Sequence, residues 1–438
     1  MLGHPDAGRG VLLRRLRRGG QLVVPILRAL RVLLGGCVHA LTLGPSCGVG
    51  GGVDRELPGI AIPTRPLSRA GTMVDERTFS VTLFSPITVG SLRLRNRVSL
   101  APMTRLRADD AGVPGDLVAQ YYAQRAGIGL LVTEGVFPSA ESRAYPGQPG
   151  IVTEAQTAGW DRVADAVHAA GGTVFMQVMH GGRVSHTGIT GTDRIVAPSA
   201  IAIEGQTRLA DGSKVDFPVP HALETEELAT VRDEIVRAAR RAVDAGIDGV
   251  ELHSANGYLL HEFLSPASNR REDGYGGSPE ARARFVIEVA RAVVEGIGAE
   301  RVGIRISPAH NIQDVWERDA DETRATYLAL VEGLAPLGLA YLSILHEDPS
   351  GALPQELRRA FGGIFIANSG FGRVTTRDEA IRVIDEDIAD LVAVGRPAIA
   401  NPDLVERWER GAEENPVDQA TVYGPDARGY TDYPTLAA

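Results

Sequence analysis

From residue 97 onward the chain repeats one unit eight times: a short β-branched or apolar run, then a stretch whose apolar residues recur at helical spacing. The predicted strands are 97–103, 129–137, 173–180, 248–253, 302–307, 339–345, 363–367 and 390–394, with helical patterns between them at 225–245, 279–294, 322–334 and 376–384. Thr376 followed by Glu379 reads as a capping box at the start of the last of these. Eight strand–helix units without a break in composition predict a single closed α/β domain, a (β/α)₈ TIM barrel, over residues 73–438. The interval 181–224 is rich in Gly, Thr, Asp and Pro and shows no helix of its own. A loop this long is usually functional, and it follows the third strand, at the face where such barrels place their sites.

Composition narrows what the barrel can do. The 438 residues are 44% hydrophobic and 23% charged, as in globular proteins that bury a large core. Residues 1–72 carry ten arginines against three acids, which leaves 35 basic and 52 acidic residues in the rest. A body so acidic repels nucleic acid and anionic lipid, so neither is expected as a partner. Both cysteines, Cys37 and Cys47, lie in the first segment, so the body has no thiolate ligand for a metal or iron–sulfur cluster, and any redox chemistry there needs an organic cofactor. The Arg-rich opening is interrupted by Arg28, Arg31 and paired glycines and has no run of about 18 apolar residues able to span a bilayer. It reads either as a targeting segment or as a dispensable, poorly ordered extension ahead of a true start at Met73. Cytoplasmic residence is the expectation, and the oligomeric state is left open.

In a barrel of this kind functional groups sit where strands end. Those ends read Pro102-Met103-Thr104-Arg105, Thr133-Glu134-Gly135, Gln177-Val178-Met179-His180, His253-Ser254-Ala255-Asn256-Gly257-Tyr258, Arg305-Ile306-Ser307-Pro308, Asn368-Ser369-Gly370-Phe371 and Gly395-Arg396-Pro397. Polar groups after apolar strands, converging on one mouth, are hard to explain as packing. The last two ends form a candidate phosphate site: the glycines let backbone amides approach an anion, and Arg396 adds a fixed charge. One Gly-Arg pair reads equally well as a structural turn, but two such turns on adjacent strands favour phosphate. At the fourth end, His253 and Asn256 can both donate to one oxygen and polarise a carbonyl or nitro group. Tyr258 is protonated at neutral pH and suited to give a proton to a developing carbanion. Taken singly, a strand-end His or Tyr is more often a packing residue; the cluster reverses that balance.

The run VELHSANGYLLHEFLSPASNRREDGYGGSPEAR at 250–282 closely resembles the old yellow enzyme family of FMN-dependent ene-reductases. So do LFSPITVGSLRLRNRVSLAPMTR at 83–105, MQVMHGGR at 176–183, VGRPAIANPDL at 394–404 and GYTDYPTL at 429–436, and the resemblance covers roughly residues 80–436. It implies a barrel holding FMN tightly and without a covalent bond, reduced by NADPH or NADH, with a small electrophilic alkene as the second substrate. It also implies roles. Pro102, Met103 and Thr104 would lie beside the flavin, Gly135 and Gln177 would contact its ring, and Arg305 would sit at the N1/O2 edge, favouring the anionic reduced form. Ser369, Gly370, Gly395 and Arg396 would hold the phosphate. His253 and Asn256 would bind the substrate's activating oxygen and Tyr258 would donate the proton, with Tyr145 and Tyr423 lining the substrate pocket.

Three positions refine this reading. Thr104 stands where one branch of the family has cysteine, which excludes thiol tuning of the flavin. Asn256 stands where some members have histidine, so charge in that pair can come only from His253. Met179 replaces a bulky tryptophan of many members, implying either a roomier pocket or ordinary gap-filling. Two alternatives remain at the level of sequence: a lyase or isomerase barrel that uses the two turns for a substrate's own phosphate, and a flavoprotein that stores or senses flavin without turnover.

Overall fold

The computed structural model describes residues 81–436. The segment 1–72, read above as a targeting segment or dispensable extension, lies outside the described residues. All eight predicted strands form, mostly trimmed at their ends: β1 (Val98–Leu100), β2 (Leu130–Val132), β3 (Val174–Val178), β4 (Gly249–Ser254), β5 (Val302–Ile306), β6 (Tyr341–Leu345), β7 (Phe365–Asn368) and β8 (Leu391–Val394). Each pairs in parallel with the next, and β8 pairs with β1 through Val392 opposite Val98, closing an eight-stranded barrel. Between them run α1 (Asp116–Gln124), α2 (Glu154–Ala169), α3 (Glu227–Asp244), α4 (Pro279–Ile297), α5 (Ala320–Leu334), α6 (Ala352–Phe361) and α7 (Arg377–Asp385), with α8 (Leu404–Arg410) after β8.

The helices form where apolar residues recur three and four apart and a cap begins the first turn. In α3, Leu228, Val231, Ile235, Ala238, Ala239 and Ala242 are buried as one stripe. Ahead of α4, Ser278 Oγ accepts from the Ala281 N–H at 3.2 Å, and Pro279 opens the helix. The predicted capping box at α7 is only half made. Thr376 Oγ1 accepts from the Glu379 N–H at 3.2 Å, but the return bond from Glu379 is absent, and Thr376 is exposed.

Strand alternation sorts the core into two sets. Outward residues such as Val174, Met176, Val250, Leu252, Val302 and Ile304 join the helices in one large apolar cluster. Inward residues Leu130, Val132, Phe175, Tyr341, Ile366 and Leu391 fill the lower barrel, closed from beneath by Val89 and Leu94 of an antiparallel hairpin, Ile87–Val89 with Leu92–Leu94. Two glycines make room for the two rings inside. A Cβ at Gly303 would stand 2.2 Å from the Tyr341 ring, and one at Gly249 would stand 2.4 Å from that of Phe175.

The long interval after β3 departs from the sequence reading. It holds a 3₁₀ turn, Gly182–Val184, and an α-helical turn, Thr187–Thr190, which His186 caps by accepting from the Gly188 N–H at 2.9 Å and which Gly191 ends at φ +70°. It also holds a hairpin, Gln206–Arg208 with Lys214–Asp216, and a short parallel pair, Val196–Ala197 with His221–Ala222. Such two- and three-residue pieces are below the length at which periodicity is visible.

Candidate active site

Toward the strands' C-terminal ends the inward positions turn polar. Two residues above Phe175 comes Gln177, two above Gly249 comes Glu251 and then His253, and two above Gly303, Tyr341 and Ile366 come Arg305, Ser343 and Asn368. These groups are buried and bonded to one another. Gln177 Nε2 donates to Glu251 Oε1 at 2.7 Å, and Tyr341 Oη to Glu251 Oε2 at 3.1 Å. Arg305 donates through Nη1 to Ser343 Oγ at 3.1 Å and through Nη2 to Asn368 Oδ1 at 3.2 Å, while Asn368 Nδ2 reaches the Ala393 carbonyl of β8 at 2.8 Å. Burial pushes the Glu251 carboxyl up, and the Arg305 charge opposes the shift. The result is a floor with one fixed guanidinium whose Nε has no partner among the described residues.

Above this floor stands the turn after β4. Asn256 and Gly257 both have left-handed backbones, at φ +58° and +81°, so the chain reverses in two residues and brings Tyr258 back over His253, with ring centroids 5.1 Å apart. His253 Nδ1 and Asn256 Oδ1 are buried and have no partner among the described residues. Burial holds the His253 imidazole well below its ordinary 6.5, and the charge of Arg305 adds to the effect. His253 and Arg305 are register partners on β4 and β5, so the direction of the shift favours the uncharged imidazole, and Asn256, an amide, carries no charge in any state. Tyr258 Oη lies 2.9 Å from Tyr145 Oη. Burial raises the Tyr258 phenol above 10, opposed by the side chains of Tyr145 and Gln313, whereas Tyr145 is pushed well above 10 by burial and by Tyr258. Either hydroxyl can be the donor of that bond.

Around the mouth, Met179, Ala144, Val184 and Ile203 form an apolar wall with Tyr258, extended by Tyr145 and Phe217. Met179 is buried, and a Cβ on Gly135 would meet its sulfur at 2.5 Å, so the thioether fills the space that Gly135 leaves. Tyr423 stands at the rim, 63% exposed, near enough for Tyr145 and Tyr258 to feel its field. Pro102, Met103 and Thr104 follow β1, half-buried, and their turn is pinned by Glu134, which accepts from the N–H groups of Arg105 at 2.9 Å and Leu106 at 3.0 Å. At the far rim, Gly370 has φ +89°, and a methyl group added to Gly395 would meet nothing nearer than Met103 Sδ at 3.4 Å, so space stands open over both turns. Ser369 is buried beside Thr375, and the Arg396 guanidinium donates to the carbonyls of Phe371 and Arg373, lacing the two turns together.

The structure therefore brings the sequence-predicted residues to one mouth, with Tyr423 at its edge. Glu251, Ser343 and Tyr341 in the floor and Gln313 behind the β4 turn, none of them named from the sequence, support these residues, together with Asn368, Glu134 and Ser307, which the strand-end reading named without a role. For Glu251 the signal was present, since a carboxylate between Val250 and Leu252 on a strand with two apolar neighbours must point into the barrel. Among the described residues no group of three or more His, Cys, Asp or Glu is arranged to hold a metal, and no helix is long and apolar enough to cross a membrane.

A closed barrel with a buried guanidinium at its strand ends, unpartnered buried polar atoms near it and an open two-turn rim suits a bound cofactor with an anionic group. The chain belongs to the NADH:flavin oxidoreductase / NADH oxidase family, which matches residues 82–415. It is 38% identical over 362 residues to a probable flavin mononucleotide-dependent alkene reductase of Leishmania infantum, covering 81% of this chain and 97% of that one. It is 39% identical over 392 residues to 12-oxophytodienoate reductase 7 of Oryza sativa, covering 82% and 96%. Among solved structures, the old yellow enzyme homologue from Zymomonas mobilis superposes with a TM-score of 0.77 at 36% identity, covering 81% of this chain and all of that one. Morphinone reductase in complex with tetrahydroNAD superposes with a TM-score of 0.75 at 43% identity, covering 81% and 98%.

Proposed function

We propose that the protein is an FMN-dependent ene-reductase that takes electrons from NADH or NADPH and reduces an α,β-unsaturated carbonyl, a nitroalkene or a related activated alkene, the two substrates using one mouth in turn. FMN, when bound, supplies the hydride chemistry that no side chain of the barrel offers. The residues present suit it. Arg305, with its free Nε, would face the polar edge of the ring; Gln177 and Thr104 would bond its other polar atoms; and the turns at Ser369-Gly370 and Gly395-Arg396 would take the phosphate.

The observation that carries the reading is the grouping of Tyr258 with two buried polar side chains that lack protein partners. His253 through a ring N–H and Asn256 through Nδ2 would hold the substrate's activating oxygen between them, drawing electron density off the β-carbon. Tyr145 would donate to the Tyr258 oxygen and so direct the Tyr258 proton to the α-carbon. The apolar wall of Met179, Val184, Ile203 and Phe217 would exclude water from that proton transfer. The test is anaerobic reduction of the holoprotein with NADH or NADPH, followed by 2-cyclohexenone. Reoxidation by the enone faster than in buffer supports the reading. A flavin that is reduced but discharged only by oxygen would favour a storage or sensing role, and a colourless protein would favour a phosphate-substrate barrel.

A further inference from the structure

The turn that carries Asn256 and Tyr258 has two consecutive left-handed residues, a conformation that costs energy unless its surroundings impose it. Three side chains impose it here. Ser307 Oγ accepts from the Asn256 N–H at 2.9 Å, Gln313 Nε2 donates to the Asn256 carbonyl at 2.9 Å, and His261 Nδ1 accepts from the Gly257 N–H at 2.9 Å. The third bond has a condition that the others lack. An amide N–H can only donate, so His261 Nδ1 must be bare and the ring proton must sit on Nε2.

The structure supplies what fixes that tautomer. His261 Nε2 lies 3.2 Å from Glu317 Oε1 and 3.0 Å from Tyr327 Oη, and Tyr327 Oη itself donates to Glu317 Oε1 at 3.0 Å. The other carboxylate oxygen accepts from the Ala309 N–H at 2.7 Å, and the Glu317 N–H donates to Asn311 Oδ1 at 2.7 Å, so the carboxylate is itself held on both sides. His261, Glu317 and Tyr327 are all buried. A histidine, a carboxylate and a phenol sealed in an interior are costly to retain for packing alone.

We propose that His261, oriented by Glu317 and Tyr327, is a positioning residue that holds the Asn256–Tyr258 turn in its strained form and thereby sets the distance between the oxygen-binding pair and the proton donor. This rests on the functional reading given above. It differs from a structural role in depending on one atom: an acceptor at Nδ1.

The two amide substitutions separate that atom from the rest. In His261→Asn the amide oxygen can take the place of Nδ1 and keep the Gly257 bond while the link to Glu317 is lost. In His261→Gln the amide reaches the place of Nε2 and keeps Glu317, but the Gly257 N–H loses its acceptor. Phenol, titrated into the FMN-loaded protein, reports the oxygen site through its dissociation constant, and hydrogen exchange of the 255–264 peptide reports the turn. His261→Gln is expected to weaken phenol at least about fivefold, as befits an orphaned buried donor, and to speed exchange, with flavin content unchanged. His261→Asn is expected to restore both toward wild type. Phenol affinity and exchange both unchanged in His261→Gln, or equal damage in the two variants, would overturn the proposal. Should His261→Gln fail to fold, Glu317→Gln is expected to show the same loss in smaller degree, and unaltered phenol binding there would overturn the proposal equally. Wild-type protein that bound no phenol would instead count against the functional reading itself.

Discussion

Replacing Gly303 with Ala adds one methyl group inside the barrel, where the structure leaves no room for it. The new carbon would lie 2.2, 2.5 and 2.6 Å from three atoms of the Tyr341 ring, against an ordinary contact near 3.5–4 Å. The ring cannot easily retreat. Phe175 stands 5.7 Å away centroid to centroid and is itself lodged over Gly249, and the Tyr341 hydroxyl is bonded to Glu251. Overpacking of this kind costs about 1–3 kcal/mol, and the lower entropy of the unfolded alanine chain returns about 0.4–1 kcal/mol, so a net loss of about 1–2 kcal/mol is expected. The consequence reaches the site, because a displaced Tyr341 loosens Glu251, and Glu251 holds the Gln177 amide. Urea denaturation of the holoprotein, with released flavin followed by fluorescence, reads both effects. Tyr341→Leu alone should also destabilise, but the double variant should lose less than the sum of the two by at least about 0.5 kcal/mol, since the added methyl then has space. Strict additivity, or a Gly303→Ala protein as stable as wild type, would refute the reasoning.

Arg396→Ala removes a charge from the rim and also the bonds to the Phe371 and Arg373 carbonyls that join its two turns, so FMN retention through dialysis should fall roughly tenfold or more, with Lys a partial substitute. Undiminished flavin would place the phosphate elsewhere. Glu262 is buried, accepts from the Arg183 N–H at 2.9 Å, has one oxygen unpartnered, and burial pushes its carboxyl up to about 8 from 4.5. Between those values the folded chain keeps a proton that the unfolded chain has released, so the contribution favours folding at low pH and is lost as pH rises from about 4.5 to about 8. Glu262→Gln should therefore flatten the decline of Tm across pH 5 to 8, and parallel profiles for the two proteins would contradict it.

Much of the fold was legible because the barrel repeats a signal that periodicity detects. Every strand predicted between 97 and 394 formed, and α3, α4, α5 and α7 began and ended within a few residues of their apolar patterns. What sequence could not reveal depends on partners far apart in the chain. The downward shift of the His253 imidazole comes from burial first and then from Arg305, its register partner across the β4–β5 pair fifty-two residues on, and no local pattern marks that pairing. The Tyr145–Tyr258 pair spans 113 residues, a separation at which no local pattern marks the contact. Gln313 and the role of Glu134 escaped for a related reason: they act on backbone C=O and N–H groups of other turns, which carry no residue-type signature. The turn at Thr376 shows the opposite error, a capping motif of which only one of the two bonds forms.

The central claim is that Tyr258 delivers the proton to the substrate carbon, and rapid-mixing kinetics of Tyr258→Phe in both half-reactions test it most directly. Flavin reduction by NADH or NADPH generates no carbanion on the substrate and should proceed nearly as in wild type. Reoxidation by 2-cyclohexenone should slow by at least about tenfold, a conservative floor beneath the roughly 10² to 10⁴ that general acids supply. Wild-type rates of enone reduction in Tyr258→Phe, or equal slowing of both half-reactions, would contradict the account.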